Sequence, residues 1–533
     1  MLTLYENAEV FTGTSDLAEC FVAGGGRFLY AGDTATARAL YPDAHTVDLG
    51  GAFVCPGFND SHLHLLSLGT MLAQAQLAGH TQALSSVLRA VADFADAHPK
   101  EKWILGRGWN QDYFSDACRY PNRYDLDRVC PDKPCLITRA CGHVAVANSA
   151  ALALAGIAQH APEVKGGRVF TDPDGIPNGI LAENAIELVA SLLPPPNKTE
   201  IKSRLCLAMA HVNRFGVTSV HSDDFSSAAV PFETIIEAYQ ELKAEGRMTV
   251  RVTEQCLLPT LDLLNRFLER GYITGWGDEW FRIGPLKLLT DGSLGARTAF
   301  LQSPYSDLPD TSGIPIYNQA ELDAIILRAH SAGMQIAAHA IGDAAAEQVL
   351  QAIEKASALC PRENARHGIV HCQVLNSNQV RRMRALNMHA YIQPVFLDYD
   401  TQIVYDRLGS RADDAYPCRS FSRLNVTFSS GSDCPVEQPD VLKGIQCAVT
   451  RKPVSRSQER PYLIDEALSV SDALRSFTLS GAYAGFEEAL KGCIAAQQLA
   501  DFTILELNPL QTSPDSIHLI RVCGVYTGGK KVY

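Results

Sequence analysis

Two histidines separated by one residue, His62 and His64 in the run DSHLH, end the first long apolar stretch of the chain. If that stretch is a β-strand, the i, i+2 spacing places both imidazoles on one side of it. A strand can present two nitrogen ligands to one metal ion in this way. Taken alone, the pattern also fits two exposed histidines.

Three more polar residues stand where apolar runs end. His339 ends MQIAAHA, His371 ends GIVHC, and Asp433 follows FSSGS. Each has a structural alternative, because a histidine can be satisfied by a backbone carbonyl and an aspartate can cap the next helix. In a parallel barrel the strand ends meet at one face. The five residues are therefore predicted to form a metal site, for which imidazole and carboxylate ligands favour zinc.

Lys287 is the odd member, because it lies inside the apolar run IGPLKLL. Burial lowers the pKa of a lysine until the amine is neutral. A neutral amine can combine with carbon dioxide to form a carbamate, an anionic ligand able to bridge two metal ions. The alternative is an ion pair with a neighbouring acid such as Asp291, and the residues alone do not choose between the two.

The elements that must position these residues alternate between strand and helix. Helical spacing of apolar residues predicts helices in FETIIEAYQELKAEG, AELDAIILRAHSAG and AAAEQVLQAIEKASAL. Strand–helix alternation repeated eight times predicts an α/β fold, a parallel (β/α)₈ TIM barrel. The eight predicted strands are AFVCPGFNDSH, GVTSVHSDD, MTVRVTEQCL, FRIGPLKLLTDG, GMQIAAHAIGD, ARHGIVHCQ, MHAYIQPVF and NVTFSSGSDC.

Short β-like runs punctuated by glycine and aspartate fill both ends of the chain. We expect residues 1–55 and 490–533 to form one small composite β-sandwich, with the barrel over 56–489. Residues 75–200 are too long for a loop and are predicted to be an inserted cap. A second insertion, 293–317, follows the fourth strand. Both insertions follow a strand, so both are expected at the active-site face, with the cap above the metal.

Composition excludes several classes of protein. The 533 residues are 46% hydrophobic and 20% charged, which is typical of globular chains. A net charge of −13 argues against nucleic-acid and anionic membrane partners. No apolar run of ~18 residues and no signal-peptide pattern are present. The 15 cysteines include no C-x-x-C pair, which predicts buried free thiols and a cytoplasmic location. The expected partner is a small-molecule substrate, and homo-oligomerisation is possible in principle.

Five motifs carry a resemblance to a known family: GHVAVANSAAL, KLLTDGSLGARTAFL, PYSD, HAIGDAA and GSDCPV. In combination they resemble the amidohydrolase superfamily, and within it amidohydrolase family 3, the group of the N-substituted formamide deformylases. The resemblance covers nearly the whole chain, including both ends. It implies that Lys287 is a carboxylated bridge between metal ions. The positions that match the family's metal ligands are His62, His64, Lys287, His339, His371 and Asp433.

The resemblance also implies an activity. One or two divalent ions would activate a water molecule, and Asp433 would carry its proton to the leaving group. The expected reaction is hydrolysis of a non-peptide carbon–nitrogen bond, an amide or formamide. One alternative is a lactonase or esterase acting on a C–O bond, and another is a non-catalytic barrel retained for binding. Because no ligand position is missing, the sequence favours an enzyme.

One position departs from the family pattern. The residue before the sixth-strand histidine is usually acidic, and here it is Val370. If that acid normally orients the histidine, then His371 must be oriented by another group.

Substrate-binding residues are predicted from motifs outside the strand ends. His143 and Asn148 lie in GHVAVANS, Trp109 in GRGWNQDYF and Arg297 in SLGART. His143 and Asn148 could instead stabilise the cap by hydrogen bonding. Arg297 could either bind a substrate carboxylate or hold its own loop.

Overall fold

The computed structural model describes residues 2–14, 17–456 and 458–533. Within these ranges no helix combines the length and the apolar character that a membrane span requires. Ten cysteines, among them Cys55 and Cys434, are buried free thiols, as the composition predicts.

The chain divides into two compact units. One contains residues 1–67 and 208–533, and the other contains residues 68–207. The second unit includes the whole segment 75–200 that the sequence predicts to be an insertion.

The first unit begins with strands that precede the barrel and with the first strand of the barrel itself. These elements are β1 (Leu2–Phe11), β2 (Leu17–Ala18), β3 (Cys20–Gly24), β4 (Arg27–Gly32), α1 (Thr34–Leu40), β5 (His45–Pro56), β6 (Phe58–Leu63) and α2 (Leu65–Leu72). The predicted strand AFVCPGFNDSH therefore belongs to two sheets, with β5 in one and β6 in the other. Gly57 joins them, and a Cβ there would lie only 2.1 Å from Thr218 Oγ1. A larger residue could not make this close approach.

The second unit is built on a six-stranded sheet in the order β11-β12-β10-β9-β8-β7. The helix Leu84–Ala97 buries Leu84, Val87 and Val91. The elements of the second unit are β7 (Ala75–Gln76), α3 (Leu84–Ala97), β8 (Ile104–Trp109), α4 (Arg123–Val129), β9 (Cys135–Arg139), β10 (Val144–Ala147), α5 (Ser149–Leu154), β11 (Gly167–Thr171), β12 (Pro177–Glu183), α6 (Glu187–Ala190) and α7 (Lys198–Asn213), whose last residues belong to the first unit.

Seven strands follow in the first unit and, with β6, make an eight-stranded parallel barrel in the order β19-β18-β17-β16-β15-β14-β13-β6. All eight predicted strands are confirmed. The seven strands are β13 (Val217–Ser222), β14 (Arg251–Leu257), β15 (Phe281–Leu289), β16 (Ile336–Ala340), β17 (Gly368–His371), β18 (His389–Ile392) and β19 (Thr427–Ser430). The long segment 293–317 contains neither helix nor strand, as a loop after the fourth barrel strand should.

Helices follow most of these strands. They are α8 (Phe232–Ala244), α9 (Leu261–Glu269), α10 (Gln319–Ser331), α11 (Asp343–Leu359), α12 (Ser377–Ala385), α13 (Leu397–Asp400), α14 (Val404–Leu408), α15 (Cys418–Arg423), α16 (Val441–Thr450), α17 (Val470–Ser476) and α18 (Leu479–Ala484). The three predicted helices are confirmed as α8, α10 and α11. Helix α10 begins with a capping box, in which Asn318 and Glu321 satisfy each other's backbone N–H groups.

The barrel is nearly closed, and its seam is the junction between the two strands at the ends of the sheet. Residues of the candidate site lie at this seam. Strands β19 and β6 end the hydrogen-bonded order. Two backbone hydrogen bonds join the segments just beyond them: Asp433 N donates to His62 O at 2.8 Å, and His64 N donates to Cys434 O at 2.8 Å. The seam therefore brings a carboxylate and two histidines, far apart in sequence, to one place.

Three short strands complete the first unit: β20 (Phe502–Leu505), β21 (Val522–Thr527) and β22 (Lys530–Lys531). With the N-terminal strands they form one mixed sheet in the order β22-β21-β20-β5-β1-β3-β4, and β2 pairs with β1. The β1–β5 pair is parallel and its neighbours are antiparallel. The two ends of the chain thus build a single β-structure, as expected.

Candidate metal centre

His62 and His64 each use one ring nitrogen to hold their orientation. His62 Nδ1 lies 2.7 Å from Gln255 Oε1, and His64 Nδ1 lies 3.0 Å from the backbone oxygen of Asp223. Both oxygens can only accept, so each Nδ1 carries the proton and donates. With Nδ1 engaged in each ring, Nε2 is the atom that each histidine can turn toward a metal ion.

Asp433 provides the carboxylate between these two rings. Its Oδ1 lies 3.1 Å from His64 Nε2 and 3.4 Å from His62 Nε2. The three ligand atoms lie within 4.8 Å of one another. Two imidazole nitrogens and one carboxylate oxygen at this spacing fit a divalent ion such as zinc.

The protonation states agree with this use. Burial acts to raise the pKa of Asp433, but the hydrogen bond with His64 and the positive charges nearby outweigh it and hold that pKa below its usual value. Burial, with the charge of Lys287 next to it, holds the pKa of His62 well below its usual value. At neutral pH the site therefore offers an ionised Asp433 and a neutral His62. For His64, burial is outweighed by the hydrogen bond to Asp433 and its charge, which raise the pKa of this imidazole.

Lys287 points its amine at the same centre. The side chain is 1% exposed, and Nζ lies 3.1 Å from His62 Nε2. Burial lowers the pKa of Lys287, against the opposing charges of Asp223 and Asp433. The alternative pairing with Asp291 is not formed, because the carboxylate of Asp291 accepts backbone N–H groups at 2.8–3.1 Å.

His339 and His371 complete the group. Their ring centroids are 4.4 Å apart, and the ring of His371 lies 5.5 Å from that of His62. His339 Nε2 is 3.1 Å from Gly292 O and 3.2 Å from Asp291 Oδ1. The five residues predicted from the strand ends thus meet, with Lys287, at one end of the barrel. Their roles as ligands stay predictions.

The backbone is unusual at two of these positions. His371 has a φ of +81° and Asp433 a φ of +60°. Side-chain-bearing residues rarely adopt this left-handed region, and such conformations concentrate at functional sites. At both positions the chain turns away from its strand, and the side chain stays with the cluster.

Val370, which replaces the acid of the family pattern, packs away from the centre. It belongs to a small buried cluster with Ala337, Tyr391 and Ala484. Gln393 takes the place of the missing acid, because its Oε1 lies 2.8 Å from His371 Nδ1. The expectation that another group orients His371 is therefore met by a residue from the next strand.

Sequence reasoning missed three residues that support the site: Gln255, Gln393 and Asp60. Asp60 accepts from Ser432 Oγ at 2.5 Å, from Ser432 N and from His62 N. Burial raises the pKa of Asp60 to about 7. The available signal for Asp60 was its position in the same strand as His62, two residues before it, and no comparable signal marked Gln255 or Gln393.

The predicted substrate residues of the second unit occupy three different environments. His143 is exposed, and its Nδ1 lies 2.9 Å from Glu183 Oε2. Asn148 is fully buried and caps α5, and its amide also bonds to the backbone of the segment before β9. Trp109 is buried in the core and donates from Nε1 to Ile137 O at 3.2 Å. His143 and Asn148 bond to different groups and not to each other, and substrate binding by the three residues stays a prediction.

Arg297 lies in the loop after β15 and holds that loop together. Its Nε and Nη2 donate to the two carboxylate oxygens of Asp307 at 3.1 and 2.8 Å. Arg407 pairs with the same carboxylate. Of the two uses that the sequence allows, the structure shows the second, because the guanidinium is already bidentate to an acid of its own loop.

Comparison with known proteins agrees with this architecture. The chain is 34% identical over 497 residues to YtcJ of Bacillus subtilis, covering 92% of this chain and 91% of that protein. It is 24% identical to the N-substituted formamide deformylase of Arthrobacter pascens, covering 99% and 97%. A solved structure, an uncharacterised metal-dependent hydrolase from Pyrococcus furiosus, superposes with a TM-score of 0.79 at 30% identity, covering 96% and 100%.

The match to a family extends over nearly the whole chain. The amidohydrolase family model covers residues 45–533, so it includes the barrel, the inserted unit and most of the terminal sheet. It also includes every residue of the metal centre described above. By this match and by the relatives that share its full length, the chain belongs to the amidohydrolase family.

Proposed function

We propose that this protein is a metal-dependent hydrolase that cleaves a non-peptide carbon–nitrogen bond, an amide or a formamide, in a small molecule. The observation that carries the proposal is the cluster of His62, His64 and Asp433, in which both Nδ1 atoms are engaged and both Nε2 atoms meet a carboxylate. The likeness to a formamide deformylase supports the bond type.

The donor set suits zinc among the divalent ions, since it combines imidazole nitrogens with a carboxylate. A divalent ion bound there would lower the pKa of a water molecule to roughly 7 and polarise the carbonyl of the substrate. His339 and His371, next to His62 and Lys287, provide the donors for a second ion.

Asp433 moves the proton. Its pKa is held below the usual value, so the carboxylate is ionised and can accept a proton from the attacking water. It then delivers that proton to the leaving nitrogen, which must depart as a neutral amine. His64 Nε2 lies 3.1 Å from Asp433 Oδ1, so the carboxylate is already next to the proposed ligand atom.

Lys287 is proposed to carry a carbamate. The neutral amine attacks carbon dioxide, a nitrogen–carbon bond forms, and one proton is released, leaving a carboxylate on Nζ. Its burial and its place beside His62 support this step, because a neutral amine is nucleophilic and the carbamate would add an anionic ligand.

The proposed function is tested by metal analysis and a substrate screen on the same preparation. Protein purified without chelator should contain at least one equivalent of a divalent transition metal and hydrolyse members of an amide and formamide panel. Less than half an equivalent, in protein that also fails to take up zinc, contradicts the metal site. Turnover confined to lactones or esters contradicts the bond type.

Replacement of Lys287 tests the carbamate. Lys287→Ala should lose metal and activity, and added acetate should restore part of both by supplying a carboxylate. Lys491→Met is the matched control, since Lys491 is also buried but already pairs with Glu487 at 2.8 Å. It should retain metal. Full metal content in Lys287→Ala, or no carbamate carbon signal from wild-type protein in ¹³C-labelled bicarbonate, contradicts the carbamate.

A further inference from the structure

His371 is held in place by a side chain that carries no charge. Its Nδ1 lies 2.8 Å from Gln393 Oε1, and both residues are buried. Because an amide oxygen only accepts, His371 Nδ1 must carry the proton. The Nε2 lone pair is then free. A glutamine that presented its amino group instead would shift the proton to Nε2 and remove that lone pair.

The hydrogen bond to His371 is the only one that the Gln393 side chain makes among the residues the structure describes. Its Nε2 is buried and lacks a partner within those same residues. A buried N–H group without an acceptor costs ~1–3 kcal/mol. Gln255, which holds His62, does not bear this cost, because its Nε2 donates to Ser61 O at 3.2 Å. The polar role of Gln393 is thus directed entirely at His371.

The surroundings fix both partners. Gln393 follows the end of β18, and Phe396 N donates to Gln393 O at 3.1 Å, which anchors the backbone next to the amide. The ring of Phe396 stacks on that of His371, with centroids 6.1 Å apart and planes 15° apart. The Phe396 ring therefore sets the tilt of the His371 ring plane, and the hydrogen bond with Gln393 sets the rotation of the ring within that plane.

We propose that Gln393 is the positioning residue of His371, and that its neutral amide sets how strongly this histidine donates to a bound ion. The inference rests on the proposed metal site. A carboxylate at Nδ1 draws the ring proton toward itself and makes Nε2 a stronger donor. An amide does so less, because it carries no net charge. His62 and His371 would therefore donate less strongly to a bound ion, which would keep more of its positive charge.

The test measures metal affinity directly, by chelator competition with zinc and by titration of the metal-free protein with cobalt(II), whose absorption spectrum reports ligand geometry. Gln393→Leu should weaken zinc binding about 10- to 100-fold, the usual effect of losing a group that orients a ligand. Gln393→Glu should tighten it by about tenfold through a stronger acceptor. Both should alter the cobalt spectrum.

Gln373→Leu is the matched control. Gln373 is a buried glutamine two residues after His371, but its amide donates to Asp400 Oδ2 at 2.7 Å and to Tyr416. This variant should lower the melting temperature and leave zinc affinity and the cobalt spectrum unchanged. If Gln393→Glu does not fold, Gln393→Met replaces it, since it keeps the side-chain length without the oxygen and should weaken binding as leucine does.

The two proposals fail in different ways. Wild-type protein that binds neither zinc nor cobalt contradicts the proposed function. Wild-type binding with the same affinity in Gln393→Leu and Gln393→Met contradicts only the role of Gln393. Equal weakening by Gln373→Leu also overturns it, because that result would mean that any lost buried amide loosens the site.

Discussion

Both ends of the barrel are lined by buried ionisable side chains, but the acids at the amino-terminal end pair with lysine and arginine. There Glu487 lies 2.8 Å from Lys491 Nζ and 3.4 Å from Arg282 Nη1, and it accepts from Thr253 Oγ1 at 3.0 Å. Arg251 is bidentate to Asp501 at 2.6 and 3.0 Å. At that end the groups satisfy one another.

The carboxyl-terminal end is arranged differently. Asp433 faces two imidazoles, and Lys287 Nζ meets an imidazole nitrogen instead of an acid. The groups that hold the histidines, Gln255 and Gln393, are neutral amides. A buried network without matching charges is expensive unless a bound cation completes it. The difference supports a structural role for the amino-terminal end and the proposed metal site at the carboxyl-terminal end.

The largest effect that separates the two ends is expected from Asp433→Asn. The substitution keeps the shape and an oxygen donor but removes the base, so turnover should fall by ~10²–10⁴. Metal content and turnover are measured together. Asp440→Asn is the control, because Asp440 only caps α16 and asparagine caps equally well. Near-normal turnover in Asp433→Asn with metal retained would place the proton transfer on another group.

At the opposite end, Glu487→Gln should affect stability and spare the metal. It leaves the buried Lys491 and the partly buried Arg282 without their shared counter-charge, and for the buried amine this costs about 3–5 kcal/mol. Denaturant unfolding measures the loss, and metal analysis of the folded protein should match wild type. Glu506→Gln, which removes an exposed partner of Arg521, should change neither. Lost metal with unchanged stability would mean that the two ends are not separate in function.

The smallest effect is the share of one buried histidine in the loss of stability per pH unit on acidification. Burial lowers the pKa values of His221, His367 and His389, all outside the metal-ligand set, to about 3. Between pH 6.5, the unfolded value, and about 3, the unfolded chain takes up a proton at each histidine that the folded chain does not. Their contribution to stability is therefore full above pH 6.5 and falls on acidification by ~1.4 kcal/mol per pH unit for each.

This contribution is measured as the slope of unfolding free energy against pH. His389 bonds to Thr427 Oγ1 and Ser429 Oγ, and His389→Gln should reduce the slope by about one histidine's share. Comparison at pH 8, where all three rings are neutral, separates the cost of the substitution itself. An unchanged slope in His389→Gln would contradict the lowered pKa of His389 in the folded protein.

Much of the fold follows from local pattern. Each barrel strand is a short apolar run, and the helices show apolar residues at helical spacing, so their existence and order are readable without tertiary information. The boundary between terminal sheet and barrel is not. The run AFVCPGFNDSH is continuous in sequence, and only the approach of Gly57 to Thr218 shows where it changes sheets.

The sequence by itself determined that His62, His64, His339, His371 and Asp433 end predicted strands, and hence that they share one face of a parallel barrel. Strand period and strand–helix alternation are local properties and suffice for that, whereas Lys287 lies inside its strand and joined the set through the family resemblance. Only the tertiary structure decided that Lys287 turns to His62 and not to Asp291, that Arg297 pairs within its loop, and that Gln393 replaces the acid missing at Val370. These choices depend on which side chains neighbouring strands bring within ~3 Å of each other, and that distance is set by strand register and closure of the seam, which no single segment encodes.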